Sequence, residues 1–284
     1  AEDNTWQQHT RPIGNSFMGA NVYGEIGKER LTFNQKTLWN GGPSTSRPNY
    51  KGGNKDTADN GKKMSDVYKE IIELYKKGED AKANELAKKL TGEVAGYGAY
   101  QSWGDIYVDF KFDESQAKNY VRDLNMENAV ASVDFDYKNT KMHREYFVSY
   151  PDNVLAMKFT ADGNEKLNLD ISFPIDNAEG VTGKKLGKDV QTTVKDNTIT
   201  VAGEMQDNQL KLNGKLKVET ENGTVEAKDG DKLHVANASE VTVYVSADTD
   251  YKNDYPKYRT GETKEQLNDS VQKTIDKASK KGYE

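Results

Sequence analysis

The sequence contains no cysteine in its 284 residues, which excludes disulfides, thiolate catalysis and cysteine-ligated zinc. Histidine is nearly as scarce. His9, His143 and His234 are too few and too scattered to form a recognisable metal motif. No apolar run approaches the roughly 18 residues that a membrane-spanning helix needs, and a mean hydropathy of -0.94 indicates a very polar surface, so membrane insertion is not expected. A basic excess is also lacking. Forty Lys and Arg stand against 46 Asp and Glu, giving a net charge of -6 and a pI near 5.4, whereas nucleic-acid partners call for a basic face.

The length is sufficient to bury roughly three quarters of the unfolded surface in one large or two modest cores. The chain opens at Ala1-Glu2-Asp3 without Met or an apolar leader, which fits a mature secreted protein and a cloned fragment equally.

Alternation with a period of two dominates. "DIYVDFKF" places Ile106, Val108, Phe110 and Phe112 on one face, and "KLNLDISFPI" does the same with Leu167, Leu169, Ile171, Phe173 and Ile175. Further short strands are predicted around Leu155/Met157/Phe159, Ile199/Val201, Leu210/Leu212, Leu216/Val218 and Val241/Val243/Val245. Asn213-Gly214 and Asn222-Gly223 read as tight hairpin turns, with Lys138-Asn139 and Asp196-Asn197 as weaker versions. The Gly- and Lys-rich stretch 180–196 reads as an exposed loop. The fold class expected is therefore mainly β, an antiparallel sandwich.

Two helical patches interrupt the strands at about 62–90. Met64, Val67, Ile71, Ile72 and Leu74 lie on one side of the first. Ala83, Leu86, Ala87 and Leu90 mark the second, from Asp80. A capping box at Thr263-Lys-Glu-Gln266 opens a last helix with Leu267, Val271, Ile275 and Ala278 at helical spacing, which either docks back on the sheet or leads into a following domain.

Candidate chemistry is sparse. The glycines of "RPIGNSFMGANVYGEIGKERLTFNQKTLWNGGP" lack the spacing of a phosphate loop and suit turns and close backbone approach instead. Asp248, Asp250 and Asp254 invite a calcium reading, but an EF-hand needs Gly at 253 and Glu at 259, where Asn253 and Arg259 stand, so a solvated acidic turn is expected. No G-x-S-x-G elbow is present, and His143 and His234 lie within strand patterns, leaving His9 beside the first glycine turn as the least easily dismissed. Paired carboxylates could hydrolyse glycosides, yet 46 of them offer no way to choose an acid and a base. Trp39-Asn40 and Gln101-Ser102-Trp103 have the composition of sugar sites, in which indole stacks on C–H faces and amides bind hydroxyls; packing of both tryptophans in the core or at an interface is the alternative.

Taken together, the opening stretch, "YGAYQSWGDIYVDF", "YVRDLNMENAVASVDFDY", "HREYFVSYPDNVLAMKFTAD" and "YVSADTDY" resemble, in order, the N-terminal region of glycoside hydrolase family 95, the inverting α-L-fucosidases. Two positions depart from the pattern: Ser16 stands where a second glycine is usual, and Trp103 replaces the commoner Pro-Leu before Gly104. The resemblance implies an N-terminal β-supersandwich over 1–258, with the inserted helical hairpin, and the start at 259–284 of a helical linker to an (α/α)6 barrel that carries the catalytic acid, base and asparagines. It implies a secreted protein, no catalytic residue within these positions, and that barrel and fucosylated glycans as partners; from the residues themselves no cofactor and no metal is expected. His9, Asn15, Trp39 and Asn40 are then expected on the rim facing the barrel, with Gln101 and Trp103 as further substrate- or barrel-facing candidates. A noncatalytic scaffold domain, an autonomous carbohydrate-binding module and an adhesion or protein-interaction sandwich are the functions to be weighed, the last calling for a large apolar surface patch.

Overall fold

The computed structural model describes residues 6–48, 50, 55–58, 60–90, 96–175 and 187–284. The chain divides into two compact units, the first comprising Ala1–Leu38, Gln101–Gln206 and Leu210–Glu284, the second Trp39–Tyr100 and Asp207–Gln209.

All the strands among the described residues belong to the first unit, in two antiparallel sheets. One runs β1 (Arg11–Gly14), β2 (Met18–Val22), β3 (Lys28–Gln35), β4 (Gly104–Asp109), β9 (Leu167–Ser172), β14 (Lys232–Ala238) and β13 (Thr224–Lys228). The other runs β10 (Lys188–Lys195), β11 (Thr198–Met205), β12 (Lys211–Glu221), β15 (Glu240–Thr249), β8 (Val154–Asp162), β7 (Thr140–Ser149), β6 (Val130–Tyr137) and β5 (Ala117–Asn125). Alternation decides which side chains fill the space between the sheets. Leu31, Phe33, Ile106, Val108, Leu169 and Ile171 from one sheet and Val133, Phe135, Met157, Phe159, Val243 and Val245 from the other share a single core. The expected antiparallel β-sandwich is present.

The last helix, α4 (Lys264–Lys281), begins with the capping box: the Thr263 hydroxyl accepts from Gln266 N–H and the Gln266 side chain accepts from Thr263 N–H. It docks on the outer face of the eight-stranded sheet, where Ile275 and Ala278 meet Val154, Ala156 and Tyr244. This cover explains why β15 is buried on both faces: its valines point inward to the sandwich and Tyr244 outward to the helix. Lys217 fastens the helix through Asp276 at 3.1 Å and Ser279 at 3.0 Å.

Turn chemistry followed the sequence unevenly. Lys138 and Asn139, both at positive φ, join β6 to β7, and Asp196 turns β10 into β11. Asn213-Gly214, read above as a turn, instead lies inside β12, paired with Asp248 and Ala247 of β15. A Cβ on Gly214 would stand 2.9 Å from Cζ3 of Trp103, so the glycine makes room for the buried indole rather than for a bend. Asn222-Gly223 does turn, but it carries the chain from one sheet to the other rather than closing a hairpin. The expected loop at 180–196 is corrected over 188–195, which form edge strand β10, where alternating Val190 and Val194 pack on the core; residues 180–186 lie outside the described residues.

The second unit carries α2 (Met64–Lys76) and α3 (Asp80–Ala87), followed by a 3-10 turn at Lys88–Leu90. Val67, Ile71 and Ala83 form its small core with Met64, Leu74, Leu86, Ala87 and Leu90 around them. Ile72, assigned above to the apolar side, is an exception and is exposed: Ile71 occupies the inward position of that turn.

Candidate functional site

Within the first unit, an open cleft of about 330 Å³ is lined by His9, the loop 23–26, Glu114, Tyr120 and Arg122. His9 closes the four-residue helix α1 (Trp6–His9), and Tyr120 and Arg122 project from edge strand β5. The loop between β2 and β3 forms the inner wall and is held from both sides. Toward the cleft, Tyr120 Oη donates to the Gly24 carbonyl at 2.7 Å, and Arg122 donates to the carbonyl of Tyr23. Gly27 N–H donates to Glu114 Oε1 at 3.2 Å. Gly24 has φ +76° and an added Cβ would stand 2.4 Å from Cδ of Arg122, so both its conformation and its lack of a side chain let Arg122 lie against the loop.

Behind the loop lies a buried charged network. Arg144, 1% exposed, donates to the carbonyls of Glu25 and Ile26 at 2.7 and 2.6 Å, and its guanidinium stacks 3.6 Å from the centroid of Phe110. Glu29, fully buried, lies 3.7 Å from Arg144 and accepts from Gly24 N–H at 2.8 Å, Arg30 N–H at 3.0 Å and Tyr146 Oη at 2.8 Å. Burial pushes the Glu29 carboxyl upward against the lowering effect of Arg144, Tyr146 and the two backbone donors. Burial also pushes the Tyr146 hydroxyl well up, with the Glu29 charge adding to it. Tyr120 is raised by burial in the same way, though Arg122 opposes it, so its phenol remains a donor near neutral pH.

The residues singled out from the sequence are not gathered in one place. His9 is exposed on the cleft. Asn15 is buried and fully engaged, since its Oδ1 accepts from the N–H groups of Phe17 and Met18 and its Nδ2 donates to Ser149 and Asn153. It ties the β1–β2 turn to the end of β7. Gln101 is buried, and its N–H donates to the Leu38 carbonyl at 2.9 Å. Trp103 has no exposed surface; it packs edge-on against Phe33 and presents no face to a sugar, which is the core-packing alternative and not the substrate-facing one.

Trp39 and Asn40 belong to the second unit. Trp39 is 47% exposed and meets Tyr100 edge-on at 5.7 Å. Its backbone is clamped: Asn208 Nδ2 donates to the carbonyls of Trp39 and Gly41, and Asn40 Oδ1 accepts from Ala99 N–H. Arg47 grips Asp207 through two nitrogens at 3.0 and 2.9 Å, while Gly41 N–H donates to the same carboxylate at 2.7 Å.

The acidic turn is solvated only in part: Asp254 is exposed as expected and Asp248 is half-buried. Asp250 is buried, accepts from Lys211 N–H and Nζ at 2.9 and 3.0 Å and lies 3.7 Å from Arg259, because Lys211 at the start of β12 places its cation beside it. His143 and His234 each bond an aspartate at 2.6 Å, Asp134 and Asp170 respectively. Burial lowers His143, but Asp134 and Glu145 outweigh it and the net shift is upward. Among the described residues no cluster of three or more His, Asp or Glu is placed to hold a metal ion.

The first unit is a two-sheet antiparallel β-sandwich with an outer helix and a polar cleft, and the second unit carries a helical pair. Residues 2–254 match the family model described as glycosyl hydrolase family 65, N-terminal domain, and the chain belongs to that family. It is 28% identical over 236 residues to "Alpha-L-fucosidase 2" of Arabidopsis thaliana, covering 82% of this chain and 25% of that protein. Against "Probable alpha-fucosidase A" of Aspergillus niger the identity is 32% over 166 residues, 58% of this chain and 19% of that protein. The chain thus spans about a quarter or less of the length of these relatives. A solved structure titled "Putative kojibiose phosphorylase from human microbiome" shares the fold, with TM-score 0.53 at 11% identity over 96% of this chain and 33% of that one.

Proposed function

We propose that this chain is the noncatalytic N-terminal domain of a secreted α-L-fucosidase of the family 95 type. The observation that carries this reading is the similarity to an α-L-fucosidase across 82% of the chain. In the reading, an (α/α)6 barrel following residue 258 through a helical linker supplies the catalysis. There an acid protonates the leaving oxygen of an α-1,2-fucosyl linkage while a base activates water on the opposite face, giving inversion. Glu29, the most completely buried carboxyl among the described residues, is sealed from substrate, which agrees with a noncatalytic role.

The test is turnover of 2'-fucosyllactose by the full protein that carries this domain, with the first anomer of released fucose read by proton NMR. Release of the β-anomer is expected. Release with retention, or turnover of other glycosides only, refutes the assignment.

A second reading, an autonomous carbohydrate-binding module, is favoured by Trp39, whose clamped backbone holds a half-exposed indole beside Tyr100. Calorimetric titration with fucose and 2'-fucosyllactose, against a Trp39→Ala variant, separates it from a purely scaffolding role.

A further inference from the structure

We infer that the cleft between α1, the 23–27 loop and β5 is a binding site for a single neutral sugar ring, with Arg122, Glu114, His9 and Tyr120 as its hydrogen-bonding groups. Its volume of about 330 Å³ lies at the small end of ligand pockets, which run from roughly 300 to 1,000 Å³, and suits one ring rather than an extended chain.

The charge pattern selects the ligand class. Two carboxylates, Glu25 and Glu114, share the lining with one guanidinium and one imidazole. An anion that reached Arg122 would also meet both carboxylates, and a cation that reached them would meet Arg122. Hydroxyl groups donate and accept at once, so a neutral polyol satisfies both kinds of partner. Capacity for it exists. Arg122 uses one nitrogen on the Tyr23 carbonyl, and Glu114 uses Oε1 on Gly27, with no further partner for either side chain among the described residues. The ring of Tyr120, 43% exposed, adds an aromatic face.

The wall is also preformed. Arg144 and Glu29 fix loop 23–27 from the core through hydrogen bonds to Glu25, Ile26 and Gly24, so little ordering entropy remains to be lost on binding. A charged network buried at that depth is costly unless every member is satisfied, and here it spends its donors on one surface loop.

The inference rests on the glycoside hydrolase assignment only for the choice of sugars. Turnover reads the barrel of the full protein, whereas the experiment here reads the isolated cleft, so either can fail alone. Amide and Arg Nε–H spectra of the 284-residue chain are titrated to about 20 mM with L-fucose, D-galactose and lactose, and separately with inorganic phosphate. Saturable shifts at Gly24, Glu25 and Arg122 with a millimolar Kd are expected for at least one monosaccharide, and none for phosphate. Glu114→Gln keeps an acceptor for Gly27 and is expected to weaken binding about fivefold, and Arg122→Ala at least tenfold. His9→Ala, which removes a lining group without touching loop 23–27, is expected to weaken binding as well, and unchanged affinity in that variant counts against the site. Absence of shifts in the loop, shifts confined to the Trp39–Tyr100 segment, or phosphate binding as tightly as sugar each overturn the inference.

Discussion

Replacing Arg144 by alanine isolates what the buried network contributes. The side chain is 1% exposed, donates to two loop carbonyls, stacks on Phe110 and lies 3.7 Å from a fully buried carboxylate. Removing one partner of a buried pair costs about 3–5 kcal/mol, because the remaining charge stays desolvated. The two orphaned carbonyls face the buried side of the loop, so losing their donor adds to that cost rather than offsetting it. A loss of about 4 kcal/mol in urea unfolding is expected, equivalent to a fall in Tm of roughly 10 °C for a domain of this size. The pH dependence has a definite sign. Without Arg144 the Glu29 carboxyl is raised further, so the variant's folded state holds a proton that its unfolded state releases above the ordinary carboxylate range. Its deficit relative to the parent should therefore shrink as pH falls from 7 toward 4.5. A loss below about 1 kcal/mol, or a deficit that grows on acidification, would refute the argument.

Three other perturbations follow from the same geometry. Burial pushes the Asp248 carboxyl from 3.8 up to about 6, against the Thr249 N–H and with the Glu262 charge adding to it. The folded state therefore binds the proton more tightly, and this group's contribution falls as pH rises from about 4 through 6. Asp248→Asn, which keeps an acceptor for Thr249, should stabilise the protein by up to about 3 kcal/mol at pH 7.5 and by nothing at pH 3.5, read by paired melts. Gly214→Ala should cost about 1–3 kcal/mol and quench or shift the Trp103 emission, since the new methyl meets the indole 2.9 Å away and Phe173 3.3 Å away. Ile275→Ala should cost about 2–5 kcal/mol and raise hydrogen exchange in α4 and the outer face of β15 first.

Much of this arrangement can be read in the sequence, and the failures share a cause. Period-two alternation identified the inward side chains because a half-buried strand leaves no other solution. The α4 capping box and stripe were explicit in Thr263, Gln266, Leu267, Val271 and Ile275. Asn213-Gly214 misled because a glycine serving a turn and a glycine serving a neighbouring indole look alike until the neighbour, 111 positions away, is placed. The buried network did leave a signal. Glu29 shares the parity of Leu31 and Phe33, and Arg144 that of Met142 and Tyr146, so opposite charges at inward positions of two strands mark a pair that only the fold can join. Arg122, Tyr120 and Glu114 left none, since a polar edge strand and the turn leading into it have the same composition whether or not they border a cleft.

Among the residues nominated for function, His9 reached a cleft and Trp39 a surface, while Asn15, Gln101 and Trp103 are interior. Amides and indoles near glycine turns satisfy backbone and core as readily as they satisfy sugars, and composition does not distinguish the two.

The proposed noncatalytic role of this β-domain is tested most directly by a fucose-release assay on residues 1–284 alone. Folded chain incubated with 2'-fucosyllactose is predicted to release no fucose above the rate in buffer, under conditions in which the full protein turns over. Fucose release by the isolated chain, abolished by substitution of a cleft residue such as Glu114, would contradict it.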